Sequence, residues 1–138
     1  METTNLYKSF NDNKTTEELQ YNMQQFRIRL QEVIMDQEFY RVLLHASIFK
    51  PKVIALFERL KEFKEVEKQT EKNASDLLIK VDSHINEISI KIEFEDLACD
   101  NYFIKTHDDL EIEIYEFLMK TTASNGQLIQ YIQGIILT

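Results

Sequence analysis

The chain has 138 residues, of which 43% are hydrophobic and 29% charged, with a formal net charge of −8; this composition excludes general disorder and suits one domain large enough to bury a core. Its two glycines, Gly126 and Gly134, and its one proline, Pro51, argue against a sheet protein, because tight turns draw on Gly, Asn and Pro for their backbone angles. The single cysteine, Cys99, excludes an intramolecular disulfide and fits a reducing compartment. With no apolar leader and no apolar run long enough to span a bilayer, a cytoplasmic protein is expected.

Residues 1–14 are polar and read as a disordered lead-in to a single domain over 15–138. Thr15 and Glu18 form a capping-box signature that opens a first helix. Leu19, Met23, Phe26, Leu30, Val33, Tyr40 and Leu44 then recur at spacings of three and four, with Gln37 in the remaining seam position. That periodicity predicts a helix over 16–48. A second apolar stripe, Tyr21, Ile28, Met35 and Val42, repeats every seven residues and is reinforced by Phe39 and Ala46. A helix apolar on two sides is expected to be covered on two sides.

Pro51 is expected in the first turn of a second helix, with Val53, Leu56, Phe57, Leu60 and Phe63 turned inward. The outer face weaves Glu58, Lys61, Glu62, Lys64, Glu65 and Lys68 at helical spacings and reads as a solvated surface. The seam weakens through Glu67, Thr70 and Ala74. A break is expected near 72–75, where Asn73 and Asp76 suit a fresh cap, and one unbroken helix over 52–98 is the competing reading. The stretch E-I-S-I-K-I-E-F-E-D at 87–96 alternates like a strand. The longer window, through Leu77, Val81, Ile85, Ile88 and Ile92, keeps a 3.6-residue period, so the stretch is read as helix.

Residues 97–105 read as a connector, and Thr106 as the cap of a fourth helix over 107–121. T-T-A-S-N-G at 121–126 reads as a loop, followed by a short helix carrying Leu128, Ile132, Ile135 and Ile136. The expected fold is all-α: an antiparallel bundle of four long helices plus a short C-terminal helix. The alternative is an α+β chain with a hairpin in 110–135, turned at Asn125-Gly126. The apolar C-terminal residues are expected to dock against the domain.

The charge is concentrated. Residues 85–118 carry ten acidic and two basic side chains, a net of −8, while the rest of the chain sums to zero. Glu93, Asp96 and Asp100 share one helix face, and Asp109, Glu113 and Glu116 another, giving an acidic face suited to a basic protein partner. No basic face is evident, so direct nucleic-acid binding is not expected. No glycine-rich phosphate loop exists, and Cys99 beside Asp100 reads as structural rather than nucleophilic. The Glu-x-x-His pairs of helix-bundle metal sites are missing; His84-x-x-Glu87 and His107 four before Glu111 run in the wrong order, and His45 reads as a packed or partly exposed residue. No catalytic residue, cofactor or metal ligand is therefore assigned.

Excess apolar surface remains. The expected function is non-enzymatic protein–protein contact, as a homodimer paired along Tyr21, Ile28, Met35 and Val42, with the acidic face offered to a basic partner. An acidic inhibitor that mimics nucleic acid and a carboxylate-rich metal-binding bundle are the alternatives.

Overall fold

The computed structural model describes residues 7–93 and 101–137, and among them the chain forms three helices: α1 (Thr16–Leu44), α2 (Leu56–Glu93) and α3 (Asn101–Ile135). At 29, 38 and 35 residues they run about 44, 57 and 52 Å at 1.5 Å per residue. They stand up, down and up. Arg27 meets Asp82 near one end of the α1–α2 contact and Arg41 meets Glu71 near the other, so those helices are antiparallel. Lys80–Glu113 and the Phe63–Tyr131 ring pair set α2 against α3 in the same sense.

One pattern makes all three helices. Leu19, Met23, Leu30, Val33, Gln37 and Leu44 of α1 are buried. In α2 the buried series is Phe63, Glu67, Ala74, Leu77, Val81, His84 and Ile88. His107, Leu110, Ile114, Thr121, Leu128, Ile132 and Ile135 continue it in α3. Each series steps by three, four or a full heptad of seven, the spacing that keeps one seam facing its neighbours in a left-handed bundle. Two apolar clusters result. Met23, Leu30, Leu77, Val81, Leu110 and Ile114 fill one end, and Leu44, Phe63, Leu128 and Ile132 the other.

The all-α class is therefore correct and the helix count is not. The break expected at 72–75 is absent, and α2 is continuous, because Ala74 and Leu77 hold the seam through that stretch. The loop expected at 121–126, with the hairpin alternative, is likewise replaced by helix. Thr, Ser, Asn and Gly cost a helix at most about 1 kcal/mol each. Burial of Thr121 and Leu128 on either side of them works against that cost, at about 25 cal/mol per Å2 of apolar surface. Thr106 does not cap a helix; α3 already runs from Asn101.

The ends of α1 follow local chemistry. Thr15 Oγ1 accepts from the Glu18 amide at 3.1 Å, and Glu18 Oε1 accepts from the Thr15 amide at 2.8 Å, completing the capping box. The helix stops at Leu44, four residues short of the expected end. Pro51 lies in a turn rather than in the first turn of α2, which starts five residues later. Phe57 is accordingly exposed rather than inward. Phe49 and Ile136 form an antiparallel bridge, the Lys50 amide donates to the Ile135 carbonyl at 2.7 Å, and the Leu137 amide donates to the Ile48 carbonyl at 2.8 Å. The apolar residues after α3 thus dock on the α1–α2 connection, with Ile136 against the Leu44–Phe63 cluster.

Candidate functional site

The outer face of α1 carries a regular apolar stripe that the fold leaves uncovered. On a wheel of 100° per residue, Tyr21, Ile28, Met35 and Val42 lie opposite the buried seam of the same helix. Their exposures are 66%, 50%, 68% and 69%, and Phe39 beside them is 60% exposed. Repeating every seven residues, the stripe drifts only about 20° per heptad around the helix. It runs about 31 Å along the helix. Beside Ile28 a recess of about 420 Å3 opens between α1 and α2, lined by Gln24, Arg27, Ile28, Asp82 and Ile85.

The acidic residues are less uniform than the sequence suggests. Glu93 is exposed and Glu116 half-buried. Asp109 pairs with Lys105 at 3.0 Å, and Glu113 with Lys80 at 2.8 Å. Asp96, Asp100 and Cys99 lie outside the described residues. The two lysines interrupt the row of carboxylates that a nucleic-acid mimic would present. Both pairs are exposed, each worth at most about 1 kcal/mol, and they leave the local field acidic.

A buried polar network joins all three helices. His84 of α2 and His107 of α3 are sealed from solvent, with His84 Nε2 3.0 Å from His107 Nδ1. His107 Nε2 lies 2.8 Å from Asn22 Oδ1 and 3.6 Å from Glu111 Oε2. With the Asn22 oxygen as acceptor, Nε2 of His107 carries a proton, and its Nδ1 shares the ring-to-ring hydrogen bond with Nε2 of His84. That leaves His84 Nδ1 buried without a partner. Burial, and then the neighbouring His107, push the His84 pKa down to about 4, in keeping with a neutral ring.

The residues ahead of α1 close this network. The Tyr7 hydroxyl donates to Glu111 Oε1 at 2.5 Å and to Asp108 Oδ1 at 3.2 Å. The Asn11 amide donates to the same oxygens at 2.9 and 2.6 Å, and the Ser9 hydroxyl to Asp108 at 2.8 Å. Burial alone would raise the Glu111 pKa. The close approach of His107, with hydrogen bonds from Tyr7 and Asn11, holds it down at about 2. Tyr7 is pushed up, mainly by burial and then by Glu111. Part of the expected lead-in is thus tied to α3 through two carboxylates.

A second polar layer lies between the apolar clusters. Gln37 Nε2 donates to Glu67 Oε1 in the fully buried seam, with Arg41 and Glu71 paired one turn further along. Desolvation raises the Glu67 pKa to about 7. Gln37 Oε1 and Glu67 Oε2 lack partners, as does Asn125 Oδ1 on α3. The neighbouring α2–α3 contacts, Phe63–Tyr131 and Lys80–Glu113, place Asn125 near the level of Glu67.

The stripe was legible in the sequence, and the histidine network was not. Its only signal is that His84 falls in the seam between Val81 and Ile88, where an apolar residue is usual. His45 is exposed, its Nδ1 2.8 Å from the Arg41 carbonyl. Among the described residues no group of three or more His, Cys, Asp and Glu is placed to hold a metal ion, and no helix is long and apolar enough to cross a membrane. Comparisons with protein-family models, curated proteins and solved structures gave no match.

Proposed function

We propose that the protein acts by protein–protein contact, without catalysis, as a homodimer paired through the outer face of α1. The carrying observation is the exposure of Tyr21, Ile28, Met35 and Val42, at least half of each residue standing in water on one face of α1. Scattered apolar residues on a surface need no explanation, but a regular stripe opposite a complete core does. Pairing two such stripes removes them from water at about 25 cal/mol per Å2 of apolar area. The polar networks lie between the helices, with His84, His107, Gln37 and Glu67 buried, and serve to hold the helices in register.

The acidic region around Glu93, Asp109, Glu113 and Glu116 is the surface proposed for a basic protein partner in the cytoplasm. Its binding weakens as salt rises, because exposed charges are screened within about 8 Å at physiological ionic strength.

Light scattering on an Ile28→Glu/Met35→Glu variant tests the pairing. Both side chains are exposed, so the variant keeps its helical circular dichroism while the mass halves relative to the unaltered chain. An unchanged dimer mass would remove the stripe from the contact.

A further inference from the structure

The α1 stripe also carries information about how a second copy lies on it. Resting on the dimer proposed above, we infer that two α1 helices pair antiparallel about a two-fold axis between Gln31 and Glu32, with Ile28 of each copy against Met35 of the other.

Symmetry comes first. In an antiparallel pair centred there, positions whose numbers add to 63 face each other, so Tyr21 meets Val42 and Ile28 meets Met35. All four stripe residues are used, and none overhangs. A two-fold contact of this kind is closed, which limits assembly to two copies. The seven-residue repeat keeps the two stripes in contact along their length through a left-handed crossing.

Charge selects the direction. The stripe is flanked by Arg27 and Arg29 in its first half and by Asp36 and Glu38 in its second. On the helical wheel Arg29, Glu32 and Asp36 lie on one flank, and Gln24, Arg27, Gln31 and Glu38 on the other. Antiparallel pairing sets each flank against itself, reversed. Arg29 then falls between Glu32 and Asp36 of the second copy, and Arg27 beside its Glu38. A parallel pair would set Asp36 beside Glu38 and Arg29 beside Arg27. Like charges at that range are destabilising, and rim charges fix the register of a contact more than its strength.

Shape agrees. The recess of about 420 Å3 beside Ile28 has Ile28 and Ile85 in its lining. In the antiparallel register Met35 of the second copy arrives over it, and an unbranched thioether side chain suits an irregular gap. The same register brings the exposed Glu38 of that copy to Arg27 at the rim, where Arg27 already holds Asp82 at 2.6 Å.

Single-cysteine cross-linking in a Cys99→Ser background tests the direction, with mass measured by light scattering in parallel. Gln31→Cys lies next to the axis and forms a disulfide-linked dimer under mild oxidation. Tyr21→Cys does not, because the two copies of position 21 stand about 31 Å apart. A disulfide through Tyr21→Cys would overturn the antiparallel register while keeping the α1 dimer. A doubled mass with neither cross-link would place the contact elsewhere and overturn both. A monomer mass for the Cys99→Ser chain at every concentration would remove the dimer itself.

Discussion

His84 Nε2 and His107 Nδ1 lie 3.0 Å apart in the interior of the bundle, linking α2 to α3 by two imidazole rings closed to solvent. The pair has a pH signature. The folded-state pKa of His84 is lowered from 6.5 to about 4, so the unfolded chain takes up a proton below pH 6.5 that the folded chain refuses until near pH 4. Its contribution is complete above pH 6.5 and is lost as pH falls through that window, on the order of 3 kcal/mol in all. In a Glu67→Gln background, which removes an opposing carboxyl titration over the same range, urea unfolding at pH 7 and pH 5 is expected to show lower stability at pH 5. A His84→Leu chain loses about 1–3 kcal/mol at pH 7 by stranding His107 Nδ1, and its stability falls less between the two pH values.

Glu67 is expected to act in the opposite direction. Its pKa is raised by desolvation from 4.5 to about 7, so between those values the folded chain keeps a proton that the unfolded chain has released. Stability is full below pH 4.5 and falls as pH rises through 7. A Glu67→Gln chain escapes this loss, and its amide donates to the unpartnered Gln37 Oε1. It is expected to be more stable than the unaltered chain by about 1–3 kcal/mol at pH 8 and nearly equal at pH 4.5, measured by urea midpoints.

Asn11 donates to both Asp108 and Glu111 and is itself buried. Asn11→Ala removes two charge-assisted bonds, for an expected loss of about 2–3 kcal/mol. Loss of the bond also lets the Glu111 pKa rise, visible in a carboxyl titration by NMR. A change below about 0.5 kcal/mol would mean that the segment ahead of α1 is not held by those carboxylates.

Gly126 sits inside α3, where a Cβ would meet nothing within 4 Å. Gly126→Ala is therefore expected to raise stability by up to about 1 kcal/mol, the helix-propensity difference. A tight turn at Asn125-Gly126 would give a loss instead, so the thermal midpoint of this variant tests the continuity of α3.

These elements show where the sequence was readable. The Thr15–Glu18 capping box and the α1 seam were legible because local chemistry and periodicity agree over nearly thirty residues. The stretches at 72–75 and 121–126 were misread because cap and turn residues such as Asn73, Thr122 and Gly126 stand there in solvent-facing positions while Ala74, Thr121 and Leu128 keep the seam. One buried residue per turn carries less signal in a short window than four polar ones. The His84–His107 contact joins positions 23 residues apart, and nothing local distinguishes it from two unrelated histidines. The α1 stripe was readable as apolar; that it lies outside the bundle is a property of the three-helix packing.

The second stripe of α1 is either covered by another copy of the chain or left in water, and sedimentation equilibrium separates the two. Over a concentration series at neutral pH and moderate salt, the expected mass rises to twice 16.5 kDa. A mass that stays at 16.5 kDa at the highest concentration would contradict the homodimer and, with it, the role given to Tyr21, Ile28, Met35 and Val42.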